Sequence, residues 1–303
     1  MVKSRITASF TWAIIAIAWL ASRLSILTVF SLGPMIGGIA YKVSRKRRRI
    51  AEINVDLCFP HYNAKEKQQL LKDIFKNLGA SAIETAFTWL NPAKNFSSHF
   101  TLKGLDILQE AQRKNQGVLV LGAHFSVMDI LSQPITKETN IDVVYRKNKN
   151  PRWEFIQRKG RKNFHKGPNV LIERGEIRTI VRRLKMGRTV WYAADQDFGA
   201  KHSVFAPFFG ISSATAKSPF VLAKLTGCSV LFLTATRNWQ HKRWTLEFSA
   251  PFDNWPGEED IDNAAKFNAT IQHAITKNPA QYLWVHRRFK TTPPGLKNRY
   301  SSL

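Results

Sequence analysis

The chain has 303 residues, 44% of them hydrophobic and nine of them Trp, which suffices for a packed core and argues against a disordered chain. A formal net charge of +25, from 46 basic and 21 acidic residues, points to anionic partners: nucleic acid, an anionic membrane surface, a phosphorylated substrate or an acidic carrier protein. The two cysteines, Cys58 and Cys228, form no metal-binding or redox spacing; Cys228 lies in an apolar run and reads as a buried thiol.

In chain order, the first feature is an apolar stretch from Phe10 to Ala40, interrupted by one charge, Arg23. About 20 such residues can cross a bilayer as a helix, so residues 1–41 are expected to be a membrane anchor. Lys3, Arg5 and Ala16-Ile17-Ala18 could also make a cleaved signal peptide, but the apolar run continues through Leu24–Phe30. Lys42 and Arg45, Lys46, Arg47, Arg48 and Arg49 follow it. By the positive-inside rule they predict a single-pass protein with its C-terminal bulk in the cytoplasm.

Residues 64–90 carry apolar positions at helical spacing (Leu70, Leu71, Ile74, Phe75, Leu78, Ile83, Phe87), ended by Asn91-Pro92. Residues 42–98 are therefore expected to be a helical section packed on a catalytic domain. Strand-like runs follow near 99–103, 117–122, 141–146, 189–194, 228–236 and 243–249, with helical patterns near 104–114, 126–133, 151–163, 175–187, 213–226 and 260–277. Such alternation predicts an α/β fold over 99–303: a layered, mixed but mostly parallel sheet flanked by helices, behind an N-terminal transmembrane helix.

The second of these strands runs Val118-Leu119-Val120-Leu121-Gly122, and Ala123-His124 follow it, with Asp129 five residues beyond the histidine. An imidazole at the carboxyl edge of a strand sits where open α/β sheets place their chemistry. With a carboxylate nearby it has the parts of a general base and its orienting partner. Five helical residues would rotate the two side chains about 140° apart, so they meet only if His124 lies in the turn and Asp129 in the first helical turns. The spacing H-x4-D alone is weak. His61 and Glu66 form a similar pair, but no strand leads into it, and it reads as the start of a helix.

A second polar cluster, Asp195-Gln196-Asp197-Phe198-Gly199, closes the run Thr189–Ala194. Asp195 and Asp197 there could bind acceptor hydroxyls or hold arginines, or could simply cap a turn. Arg146, Arg158, Arg161, Arg174 and Arg178 suit phosphate recognition. No G-x-S-x-G elbow, Walker A sequence, G-x-G-x-x-G fingerprint, H-E-x-x-H or paired C-x-x-C occurs.

Leu121-Gly122-Ala123-His124 through Asp129, the Asp195–Gly199 segment and Tyr282-Leu283-Trp284-Val285-His286-Arg287-Arg288-Phe289-Lys290-Thr291 together resemble the late lipid A acyltransferases, members of the wider H-x4-D/E acyltransferase group. The similarity runs from the N-terminal segment to Tyr300, and the Trp-x-His-Arg-Arg-Phe-Lys block is its most specific part. Thr292 departs from the pattern, where related sequences often carry Arg before the proline.

The resemblance implies acyl transfer from acyl carrier protein to a hydroxyl of a phosphorylated, Kdo-bearing lipid A precursor, at the bacterial inner membrane. It assigns His124 as base and Asp129 as its partner, and requires no cofactor and no metal. Arg146, Arg158, Arg161, Arg174, Asp195 and Asp197 are the candidate substrate contacts. Acylation of a glycerophospholipid is the nearest rival activity. A membrane-tethered nucleic-acid-binding protein would also suit the charge, but the basic residues are dispersed, no RRM or zinc-finger signature occurs, and no nucleic-acid partner is expected.

Overall fold

A computed structural model describes residues 2–91, 94–164, 169–301 and 303. The N-terminal apolar stretch folds as two helices, α1 (Val2–Arg23) and α2 (Thr28–Val43), rather than one span. A turn at residues 24–27 separates them, and the Ser25 carbonyl accepts both the backbone N–H of Thr28 at 3.0 Å and its hydroxyl at 2.6 Å. Among the described residues, no helix is long and apolar enough to cross a membrane. This overturns the expected transmembrane helix, and with it the single-pass inner-membrane localisation.

The small residues of α2 explain where its apolar face goes. Gly33 and Gly37 press against Ala80 and Phe75 of α4 (Ala64–Leu90). A Cβ on Gly37 would collide with the Phe75 carbonyl, and one on Gly79 with the Gly33 carbonyl. Only glycine permits so close a backbone approach. Asn63 and Glu66 form a reciprocal capping box at the start of α4, which accounts for the second His–Glu spacing as a helix start.

Between them, the basic run opens α3 (Arg45–Cys58), a helix inside the section expected to be helical but without bounds of its own in the sequence reading. Its arginines are partly used within the fold: Arg48 and Arg49 lie 3.5 and 3.3 Å from Glu52, and Arg47 donates to the Val285 carbonyl at 3.1 Å.

The remainder alternates strands and helices: β1 (Phe100–Lys103), α5 (Leu105–Arg113), β2 (Val118–Gly122), α6 (Ser132–Glu138), β3 (Asp142–Tyr145) and α7 (Pro151–Phe164). Then come β4 (Leu171–Glu173), α8 (Ile177–Lys185), β5 (Thr189–Ala193), β6 (Ser203–Phe208), β7 (Ile211–Ala216), α9 (Ser218–Thr226), β8 (Ser229–Asn238), β9 (Arg243–Phe248) and α10 (Asp260–Lys277).

Seven strands form one sheet in the order β1-β9-β8-β2-β5-β3-β4, parallel except for the β8–β9 pair. The expected α/β class with a mostly parallel sheet flanked by helices is therefore present. β2 lies in the middle with every residue buried, as its unbroken apolar run requires when both sheet faces are covered. Leu119 and Leu121 enter one core, Val118 and Val120 the other.

Two local expectations fail. Residues 213–226 are not one helix, because Ile211–Ala216 pairs antiparallel with Ser203–Phe208. Phe209 and Gly210 both take positive φ (52° and 74°) at the turn, which suits a tight hairpin. Residues 126–133 form a turn and a short 3-10 segment at Asp129–Leu131 before α6. The chain there is drawn sideways: Ser126 N–H donates to the Gln281 carbonyl at 2.7 Å, and Phe125 bridges to Tyr282.

Candidate active site

The sheet register builds the site. Gly122, the last residue of β2, stands opposite Ala193, the last residue of β5. His124 and Asp195 each lie two residues past that level, so adjacent parallel strands deliver them to the same edge. Gly122 must lack a side chain, since a Cβ there would sit 2.9 Å from the Trp191 indole nitrogen.

Asp195 holds the histidine. Its Oδ2 accepts the His124 backbone N–H at 3.0 Å, and its Oδ1 lies 2.5 Å from His124 Nδ1. The Tyr282 hydroxyl donates to Oδ2 at 2.9 Å. Burial alone would raise the Asp195 carboxyl, but the His124 charge and the hydrogen bonds from His124 and Tyr282 bring it down to about 2. It is therefore an anionic acceptor and fixes the proton on Nδ1, leaving Nε2 free to meet a substrate. Tyr282 is raised well above the usual phenol range, first by burial and then by the Asp195 charge, so it remains a donor.

Asp129, the expected partner of His124, holds other groups. Its Oδ1 accepts from Arg161 Nη2 at 2.6 Å and Trp89 Nε1 at 3.2 Å, and its Oδ2 from the Thr85 hydroxyl at 3.2 Å. The turn after His124 carries Asp129 toward α4 and α7, and the hydrogen-bonded carboxylate comes instead from the neighbouring strand. Asp129 and Arg161 thus form a charged pair, and both line the same cavity as His124.

That cavity measures about 540 Å³. His124, Ser126, Met128, Trp191 and Tyr192 line its inner part, and the exposed Arg146, Lys147, Lys149 and Arg174 lie along it. A smaller apolar recess adjoins it behind Met128, Asp129, Arg161 and Trp191, walled by Leu131, Ile135, Ile141, Val143 and Leu233. Among the described residues, no group of three or more His, Cys, Asp and Glu side chains is arranged to hold a metal ion.

The remaining candidates separate. Arg146, Arg161 and Arg174 reach the cavity; Arg158 instead donates to the Tyr145 hydroxyl at 3.5 Å, and Arg178 is exposed on α8 beside a different groove. Asp195 and Asp197, expected as substrate contacts, are both buried and are not among the residues that line the cavity; each holds neighbouring groups of the chain. Asp197 is buried, accepting the Thr291 N–H at 2.6 Å and its hydroxyl at 2.8 Å, which ties down the end of the Tyr282–Thr291 block.

That block is a strap. Asn54 Nδ2 donates to the carbonyls of Trp284 and His286 at 2.6 and 2.8 Å, and buried Arg288 donates to the Ala214 carbonyl at 2.7 Å. The strap also holds His124 from below, because Leu283 N–H donates to the His124 carbonyl at 2.9 Å. Gln281 and Trp89 carried no signal in the sequence; Trp191 lies in the run that leads to Asp195 and Tyr282 heads the Tyr282–Thr291 block, but neither was given a role.

Comparison with known proteins places this geometry in context. The family model described as bacterial lipid A biosynthesis acyltransferase matches residues 2–291. The chain is 35% identical over 291 residues to the lipid A biosynthesis palmitoleoyltransferase of Escherichia coli (strain K12), covering 96% of this chain and 94% of that one. It is 29% identical over 291 residues to that organism's lipid A biosynthesis lauroyltransferase, with the same coverage. To its lipid A biosynthesis myristoyltransferase it is 24% identical over 261 residues, 86% of this chain and 80% of the other.

Proposed function

The chain belongs to the bacterial lipid A biosynthesis acyltransferase family, and from that premise we propose that its His124 catalyses transfer of a fatty acyl chain from acyl carrier protein to a hydroxyl of a Kdo-bearing lipid A precursor. The observation that carries this reading is the His124–Asp195 pair at the wall of a cavity with cationic side chains and an apolar recess.

In this reaction Nε2 of His124 takes the proton of the acceptor hydroxyl as its oxygen attacks the thioester carbonyl. Asp195 keeps the other proton on Nδ1 and stabilises the imidazolium that forms. The tetrahedral intermediate then expels the carrier thiolate, which recovers the proton from Nε2. Such positioned proton transfer contributes on the order of 10²–10⁴ in rate. Asp129, expected from the resemblance as the base's partner, acts instead by fixing Arg161 at the cavity wall, where its guanidinium can meet a developing oxyanion or a phosphate. Arg146 and Arg174 suit the phosphates of the acceptor, and the apolar side chains behind Met128 offer a surface to part of the acyl chain.

The test supplies purified protein with acyl carrier protein bearing a fatty acid, and with either Kdo-bearing lipid A precursor or lysophosphatidate as acceptor. Mass spectrometry should show one added acyl group on the lipid A precursor and none on lysophosphatidate. Acylation of lysophosphatidate alone would replace this reading with a glycerophospholipid activity.

A further inference from the structure

Away from the cavity, α8 and the end of α9 enclose an open groove of about 570 Å³. Ile177, Val181, Met186 and Leu225 give it an apolar floor, and Met186 and Leu225 are more than half exposed. Arg178, Arg182 and Lys185 form its rim. The spacing explains the layout: positions 178, 182 and 185 share one helical stripe, 177 and 181 lie beside it, and Ile180 and Leu184 turn into the core.

Arg183, on the other side of α8, is bound to Asp142, but Arg178, Arg182 and Lys185 carry no ion pair among the described residues. Neither α8 nor α9 contains Asp or Glu. Glu173 and Glu176 precede α8, and Asp260, near α9, is already paired with Lys217. Like charges at this spacing repel by a few tenths of a kcal/mol per pair, so the stripe does not favour the isolated helix. Exposed apolar side chains under a row of unpaired cations fit a partner with an apolar and an acidic side.

The groove's position says what such a partner could deliver. Arg174 lines the cavity, and Arg178 follows four residues later, at most about 14 Å of chain away. α9 runs from Ser218, whose hydroxyl lies 2.8 Å from that of the cavity-lining Tyr192, to Leu225 in the groove, about 10 Å of helix away. We propose that the α8–α9 groove docks an acidic amphipathic helix of the carrier protein that presents the acyl thioester. This assignment rests on the acyl-transfer reading for the catalytic use of the groove, but the docking itself can be measured separately.

The experiment compares the full-length protein with an Arg182→Glu/Lys185→Glu variant and a Met186→Glu variant, each checked for unchanged thermal unfolding. Binding of an acyl-loaded acidic acyl carrier protein is measured at low and high salt. Turnover is measured with that donor and with the same acyl group on N-acetylcysteamine. The proposal expects both variants to bind the carrier about tenfold more weakly and to raise its KM, with the small thioester used as before. A wild-type protein that binds the carrier in this salt-dependent way yet transfers no acyl group would sink the catalytic reading and leave the docking site standing. Carrier binding unchanged in both variants, or equal losses with both donors, would each overturn the proposal, as would variants that keep carrier binding but lose binding to vesicles containing anionic phospholipid, measured in parallel.

Discussion

Asp195 grips His124 at two atoms, the backbone N–H at 3.0 Å and ring Nδ1 at 2.5 Å, so the carboxylate sets both the position and the tautomer of the imidazole. Replacement by Asn keeps the shape but removes the charge that holds the proton on Nδ1. Asp195→Asn should lower kcat by about 10²–10⁴ while KM changes little. Steady-state kinetics on the folded variant check this, and a kcat within a few-fold of wild type would remove Asp195 from the mechanism.

A buried ion pair supports the same edge from behind. Arg237 donates to both oxygens of Glu84 at 2.7 Å, and Trp244 Nε1 donates to one of them at 2.7 Å. The Arg237 backbone exchanges two hydrogen bonds with the Gln281 side chain, next to Tyr282. Glu84→Gln leaves a buried guanidinium without its counter-charge and should cost about 3–5 kcal/mol. The double variant Glu84→Met/Arg237→Met should recover most of that loss. Urea unfolding of the two variants distinguishes an unpaired charge from a simple packing defect.

Burial lowers the His286 imidazole to about 4, against an ordinary 6.5; the charges of His124 and Arg288 also lower it, while Asp195 and Asp197 raise it. The unfolded chain therefore binds a proton near 6.5 that the folded chain refuses until about 4. Between those values stability falls as pH falls, by on the order of 3 kcal/mol in total, and below them this contribution is constant. Denaturation at about pH 7 and about pH 4.5 should show His286→Leu losing less stability than wild type between the two. Equal losses would contradict the assignment.

Neighbouring glycines in α2 make a paired test of the helix packing that replaces a membrane span. A Cβ at Gly37 meets the α4 backbone, whereas one at Gly38 meets nothing within 4 Å. Gly37→Ala should destabilise by roughly 1–3 kcal/mol through overpacking. Gly38→Ala should be neutral or stabilise by up to about 1 kcal/mol, since Ala is the better helix former. Thermal unfolding of both reads the difference directly.

Much of the scaffold was legible because its signals are local. The unbroken apolar run of β2 and the Gly122 that ends it located the His124 edge, and α10 has the predicted bounds. The partner of His124 was harder, because sequence proximity favours Asp129 while strand adjacency favours Asp195. That β2 and β5 are neighbours depends on β3 and β4 lying outside β5, which no residue pattern states. The N-terminus misled for the opposite reason: its apolar run is continuous, and the break after Arg23 depends on Ser25 and Thr28 closing a turn. The β6–β7 hairpin was missed because Ser212, Ser213 and Thr215 carry little apolar alternation, and the turn depends on positive φ at Phe209 as well as Gly210.

The most direct measurement is the single-turnover rate of acyl transfer from acyl carrier protein to lipid A precursor by folded His124→Ala protein. Loss of at least about a hundredfold, with donor binding retained, is the predicted result. Transfer at the unaltered rate would show that some other group removes the acceptor's proton.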